Sequence, residues 1–180
     1  MISTNRALVV LALLGTLTAG LAAKLEPTAE FVHEDAKGKL AMVGTAAVVL
    51  SGDDPFVNRI TEDVLAIMLL GKGIKVAYPD ENSFGKPRRD KDTDPMQVAR
   101  KVGANVLLTG MVVTEPACVQ DCEGGCECKC RSLKVSIASL SLIDVPQDKA
   151  LVWALYEPEE AVSTSKIATA FVELLLESLK

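Results

Sequence analysis

The sequence is poor in the residues that catalytic and nucleic-acid-binding sites commonly need. Histidine occurs once, as His33, in a segment without regular patterning, so a Ser-His-Asp or Cys-His catalytic arrangement is not expected. Lysine and arginine total 19 against 24 acidic residues, a formal net charge of −5. Because nucleic-acid binding requires clustered positive charge, no nucleic-acid partner is expected.

The chain also lacks a glycine-rich phosphate-binding loop. Its first strand-to-helix turn reads Ser-Gly-Asp-Asp-Pro at positions 51–55, and the carboxylates of Asp53 and Asp54 would repel a phosphate group. We interpret the two aspartates as helix-capping residues, with cation binding through their oxygens as the alternative. We predict that the protein is not an enzyme and has no catalytic or cofactor-binding residue.

Aromatic residues make up only 4% of the chain, whereas hydrophobic residues make up 49%. The core must therefore consist mainly of Val, Leu, Ile and Ala, and we expect Trp153 and Tyr156 to be packing residues, not an aromatic ligand platform. The basic patch Lys86, Arg88, Arg89 and Lys91 is nearly cancelled by neighbouring acids. We interpret it as part of a solvated loop.

The first 22 residues have the layout of a secretory signal peptide. Arg6 precedes an apolar run, and Gly20 and Ala22 place small residues before a cleavage site. The apolar stretch is shorter than the roughly 20 residues that span a bilayer, so cleavage is favoured over an uncleaved N-terminal anchor. No cysteine follows the small residues, and the usual bacterial lipoprotein signal is therefore absent.

Residues 23–39 show neither helical nor strand periodicity and are predicted to be a tether to one α/β domain, residues 40–180. Patterning predicts strands at 40–50, 74–78, 105–114, 133–145 and 150–156, with helices after the first two strands and at the C-terminus. The order β-α-β-α-β-β-β-α predicts one mixed sheet of about five strands flanked by helices. The terminal helix, capped by Ser163 or Thr164, should bury Ile167, Ala170, Phe171, Leu174 and Leu175.

Five cysteines lie close together between the third and fourth strands: Cys118, Cys122, Cys126, Cys128 and Cys130. In an oxidising compartment they would form disulfides, which the signal peptide favours, whereas reduced thiolates would suit a thiophilic metal. All five occupy even positions, so a hairpin turning at residues 123–125 would place them on one face. Cys122 would then face Cys126 and Cys118 would face Cys130 within disulfide range, leaving Cys128 as a free thiol.

Two segments carry a family resemblance, LAIMLLGKGIKVAYPD at 65–80 and DPMQVARKVGANVLLTGMVV at 94–113. Followed by an antiparallel pair and a terminal helix, they resemble the curli-secretion lipoprotein (CsgG-like) superfamily, which includes LpoB and is similar to the amino-terminal domain of TolB. This sequence departs from that family in two ways, because it lacks the lipoprotein cysteine and it lacks the long membrane-inserting segments. The resemblance implies a periplasmic adaptor and not a pore.

We therefore expect an exported, periplasmic interaction module that assembles or regulates envelope machinery by binding an envelope protein. Membrane association is expected only through an uncleaved N-terminus, and self-association is left open. The alternative function is metal binding or redox sensing by the cysteine segment, residues 118–130.

Overall fold

The computed structural model describes residues 24–39, 43–80, 82–86, 94–115 and 134–180, which form seven strands, three α-helices and one 3-10 helix. The strands are β1 (Ala29–Val32), β2 (Thr45–Gly52), β3 (Lys75–Tyr78), β4 (Val106–Thr114), β5 (Lys134–Asp144), β6 (Lys149–Tyr156) and β7 (Val162–Ser163). The α-helices are α1 (Pro55–Gly71), α2 (Pro95–Lys101) and α3 (Thr164–Ser178), and the 3-10 helix is Glu34–Ala36.

The strands form one mixed sheet in the order β1-β6-β5-β4-β2-β3, and β7 pairs with the start of β5. Strand β2 is parallel to both β3 and β4, whereas β4, β5, β6 and β1 pair antiparallel in succession. The predicted α/β class, the single mixed sheet and the succession β-α-β-α-β-β-β-α of the main elements along the chain are confirmed. Strand β2 begins at Thr45, so Val43 and Gly44 of the first predicted strand lie before it, and residues 40–42 lie outside the described residues. Asn105 accepts a hydrogen bond from Thr45 N and donates one to Thr45 O, which aligns the starts of β2 and β4.

Part of the segment predicted as a tether belongs to the sheet. Strand β1 pairs antiparallel with β6, and its flanks are held by hydrogen bonds from Thr28 N to Leu155 O and from His33 N to Leu151 O. The following 3-10 helix buries Ala36 completely. A strand of four residues is too short to show a period, which explains why the sequence pattern did not reveal it.

Each α-helix begins at a polar cap that the sequence indicated. Asp54 accepts hydrogen bonds from Phe56 N at 2.8 Å and Val57 N at 3.2 Å, with Pro55 in the first turn of α1. Asp94 caps α2 in the same way, and Ser163 caps α3. These bonds satisfy backbone donors that have no partner inside the helix, so the capping interpretation is confirmed for Asp54. It is wrong for Asp53, because that carboxylate accepts hydrogen bonds from Thr114 of β4.

The core is larger on one side of the sheet than on the other. Helices α1 and α3 cover the first face, where α3 buries Ile167, Ala170, Phe171 and Leu175 as predicted and leaves Leu174 partly buried. On the second face the short helix α2 packs mainly on β2 and β4, over a small cluster that includes Ala99 and Ile143. None of the helices within the described ranges is long and apolar enough to cross a membrane.

Candidate functional site

A broad area of the second sheet face has no helix over it in the part of the chain that the structure describes. Helix α2 packs mainly on β2 and β4, and the apolar cluster beneath it also includes Ile143 near the end of β5. We call this area the open sheet face and define its apolar part as Phe31, Met111, Val113, Ile137, Trp153 and Leu155. Its polar positions are Thr109, Ser139 and Ser141.

The strand register places these side chains on one surface. Two cross-strand rows form it, one running Phe31, Trp153, Ser141 and Thr109, and the next Leu155, Ser139 and Met111. Since side chains alternate between the two faces of a sheet, residues two apart along each strand share this surface. The open sheet face therefore extends over four adjacent strands.

The open sheet face carries more apolar side chains than a sheet surface exposed to water usually does. Phe31 and Met111 are 50% and 49% exposed, and the other four apolar side chains are partly exposed. Trp153 Nε1 donates a hydrogen bond of 2.9 Å to Ser139 Oγ, which holds the indole in place on the surface. An antiparallel strand with one solvated face normally carries polar residues there, and a contiguous exposed apolar patch marks an interaction site.

Three acidic residues line one edge of this face. Asp53, Glu115 and Glu157 follow the carboxyl ends of β2, β4 and β6, and all three are exposed. We call them the acidic edge. The carboxylate of Asp53 accepts hydrogen bonds of 3.1 Å from both the backbone nitrogen and the hydroxyl of Thr114, which joins the ends of β2 and β4. Lys134, at the start of β5, is a basic residue at the same edge.

A buried charged cluster lies behind the end of β2. Glu62 Oε1 accepts a hydrogen bond of 2.8 Å from Leu50 N, and its Oε2 is 3.4 Å from Arg59 Nη1. Arg59 Nη2 is 3.1 Å from Asp63 Oδ1, an ion pair without hydrogen-bond geometry. The side chains of Arg59 and Glu62 are 7% and 1% exposed, so the cluster is a structural element of the core side of α1.

The same cluster anchors the loop after β3. Arg59 Nη2 donates to the carbonyl oxygen of Ser83, and Asp63 Oδ2 accepts a hydrogen bond of 2.8 Å from Gly85 N. The sequence signal was the i, i+3 and i, i+4 spacing of one arginine and two acids on α1. That spacing is equally typical of exposed helix pairs, and sequence reasoning did not select it.

The carboxylates near the first strand-to-helix turn already have protein donors. Asp54 caps α1 and Asp53 binds Thr114, so both act as structural acceptors. Within the described ranges no group of three or more His, Cys, Asp or Glu side chains could hold a metal ion.

The predicted cysteine site, Cys118, Cys122, Cys126, Cys128 and Cys130, lies outside the described residues. The flanks of that segment are described: Thr114 pairs with Val135, and Glu115 N donates to Lys134 O at 3.3 Å. The disulfide pairing and the alternative metal site both stay predictions. In the predicted basic patch, Lys86 is exposed, and Arg88, Arg89 and Lys91 also lie outside the described residues.

The two aromatic residues of β6 face opposite sides of the sheet. Tyr156 is fully buried on the side of α3, and its hydroxyl has no hydrogen-bond partner among the residues described. Burial raises the pKa of this hydroxyl, and the negative charges of Glu30, Glu26 and Glu173 raise it further. Tyr156 is therefore a packing residue, whereas Trp153 lies on the open sheet face.

Comparisons with known proteins identify similar solved structures only. The sequence matches no protein-family model and no curated protein. One similar structure is the PelC dodecamer from Paraburkholderia phytofirmans, with 16% identity, a TM-score of 0.47, and coverage of 84% of this chain and 94% of that chain. TolB from Acinetobacter baumannii has 11% identity, a TM-score of 0.45 and coverage of 77% and 28%.

The C-terminal domain of LpoB from Salmonella enterica has 12% identity, a TM-score of 0.41, and coverage of 67% of this chain and 83% of that chain. LpoB and TolB, which the sequence resemblance named, are thus among the solved structures to which this chain is similar. At these identities no residue of this chain takes a role from them.

Proposed function

We propose that the chain is an exported interaction module of the bacterial cell envelope, an LpoB-like adaptor that binds a partner protein through the open sheet face. The observation that supports this function is the apolar surface of β1, β4, β5 and β6, over which no helix of the described residues lies. An exposed patch of this kind costs solubility, and its burial against a partner recovers the hydrophobic free energy of its side chains.

The proposal includes the absence of catalysis. His33, the only histidine, accepts a hydrogen bond from Asp35 N at the far end of β1 and is remote from the acidic edge. The carboxylates of Asp53, Asp54 and Glu62 are occupied by backbone donors. Binding needs no converging reactive groups, and the open sheet face supplies what binding requires.

Export to the envelope rests on the N-terminal sequence. If residues 1–22 are a cleaved signal peptide, intact-mass measurement of the protein from the envelope fraction should give a chain starting near Ala23 or Lys24. An uncleaved chain in the membrane fraction would indicate an anchor, which keeps the envelope location. Recovery of the full chain from the cytoplasm would contradict the proposed location.

Site-specific photo-crosslinking in the producing cells tests the binding surface. A photoreactive residue replaces Met111, which is 49% exposed on the open sheet face, or Ile67, which is 57% exposed on α1. The two positions are similarly accessible and apolar, but only the first lies on the proposed surface. We expect one discrete partner adduct from position 111 and none from position 67; equal labelling at both positions would refute a specific surface.

The cysteine segment supports a second candidate function, metal binding or redox sensing. The segment from Cys118 to Cys130 contains five cysteines. It connects β4 and β5, which pair with each other antiparallel. Soft thiolates held on a short connection suit a thiophilic metal or reversible disulfides. Metal analysis of anaerobically purified protein and thiol counting before and after mild oxidation test it. Absence of bound metal together with five thiols that stay free after oxidation would exclude it.

A further inference from the structure

We propose that the partner segment that docks on the open sheet face is cationic, carrying apolar side chains beside lysine or arginine. The inference rests on the proposed function and adds the chemistry of the partner. It follows from the position of the acidic edge, Asp53, Glu115 and Glu157, at the carboxyl ends of β2, β4 and β6, because β4 and β6 also supply the open sheet face and β2 is the neighbour of β4.

The apolar and acidic parts are held in one rigid frame. Asp53 is bonded to Thr114 of β4, and Glu157 N donates a hydrogen bond of 3.0 Å to Thr28 Oγ1 beside β1. A partner whose apolar residues cover Met111 therefore has its flanking residues close to fixed negative charge. Cationic flanks are attracted there and anionic flanks are repelled.

Further acids surround the adjoining corner of the sheet, where β6 ends beside β1. Glu30 pairs with Ala154 and Glu173 lies on α3, so these two acids are on the α3 side of the sheet with Tyr156 and not on the open sheet face. Lys24 offsets part of this charge, since its Nζ is 3.9 Å from Glu26. The acids that follow Glu157 in sequence, Glu159 and Glu160, are also exposed. Glu159 and Glu160 therefore add to the negative charge that follows the carboxyl end of β6.

Trp153 provides the measurement, because it is the only tryptophan of the chain and lies on the open sheet face. Three short synthetic peptides serve as probes, with leucine alternating with lysine, glutamate or serine. Fluorescence titration of the full chain at low salt should show a blue shift of Trp153 emission. We expect the lysine peptide to bind about tenfold more tightly than the serine peptide, and the glutamate peptide to bind least.

Two pairs of variants separate the apolar from the electrostatic contribution. Met111→Ser should weaken binding of every peptide, whereas Ile67→Ser on α1 should not. The double variant Glu115→Lys, Glu157→Lys should reverse the preference in favour of the glutamate peptide. Glu34→Lys changes an exposed charge in the 3-10 helix, at the other end of β1, and should leave the preference unchanged. High salt should remove the advantage of the lysine peptide.

The outcomes distinguish the inference from the proposed function. Equal binding of all three peptides, weakened by Met111→Ser, would keep the docking surface and overturn the cationic partner. No fluorescence response to any peptide would overturn the inference. Acrylamide quenching of the free chain at several concentrations checks coverage of Trp153. Protection of Trp153 that increases with protein concentration would identify a second copy as the occupant. Full protection at every concentration would identify a segment of the same chain, since Trp153 is partly exposed on the open sheet face. Either result would overturn both proposals.

Discussion

Removal of the Arg59 guanidinium should destabilise the domain strongly. Arg59→Met keeps an unbranched apolar stem but withdraws the cation that lies 3.4 Å from Glu62 and 3.1 Å from Asp63. Breaking a buried ion pair by removing one partner costs about 3–5 kcal/mol, because the remaining charge is no longer compensated. For a domain of this size that corresponds to a decrease in Tm of about 6–20 °C.

The assay is thermal or urea unfolding, followed by circular dichroism, of the parent and three variants. Glu62→Gln retains an oxygen that can accept the Leu50 N–H bond, so we expect it to cost less than Arg59→Met. The double variant should lose at least about 1 kcal/mol less stability than the sum of the two single losses, because both substitutions remove the same interaction. A Tm of Arg59→Met within about 2 °C of the parent would refute a stabilising role for the cluster.

Gly110→Ala should cost about 3 kcal/mol or more in urea unfolding, because a Cβ there would lie 2.0 Å from Ser139 O and the residue has φ of +156°. Gly71→Ala, whose Cβ meets no atom within 4 Å at the end of α1, is the matched control and should be neutral or stabilising by up to about 1 kcal/mol. Tyr156→Phe removes a buried hydroxyl without a partner and should be neutral or stabilising by about 1 kcal/mol at neutral pH. Because the pKa of Tyr156 is raised in the folded state, the stability that its protonated hydroxyl contributes is fully present below about pH 10 and is lost as the pH rises further. The variant has no hydroxyl to ionise, so it should lose less stability than the parent in unfolding measured up to about pH 11.5. Mass mapping of non-reduced peptides should find Cys122 joined to Cys126 and Cys118 to Cys130, and any other pairing would contradict a hairpin centred on Gly124.

The sequence was sufficient for the main elements because their signals are local. Asp54 with Pro55, Asp94 with Pro95, and Ser163 mark helix starts by their capping chemistry, and the structure shows all three caps. The spacing of Ile167, Phe171 and Leu175 specified the buried side of α3 without knowledge of its partners. Caps and periodicity depend on residues only a few positions apart, and this explains their success.

The candidate site depends on long-range arrangement and could not be predicted in the same way. Met111 and Trp153 lie in strands that are apolar on both faces, a composition that predicts cover on both sides. Whether a helix covers a given strand depends on the length and placement of α2, which has only seven residues and packs mainly on β2 and β4. An apolar residue beneath a helix and one presented to a partner have the same local sequence pattern.

The elements that stabilise the sheet also fix the proposed binding surface. Glu62 holds the backbone of Leu50 near the end of β2, and Asp53 then joins β2 to Thr114 of β4, next to Met111 and Val113. A surface held by such bonds loses little conformational entropy when a partner docks, so more of the hydrophobic and electrostatic free energy contributes to affinity. The buried cluster and the open sheet face are therefore mechanically linked through β2. Loosening the cluster should weaken partner binding even where the contact residues themselves are unchanged.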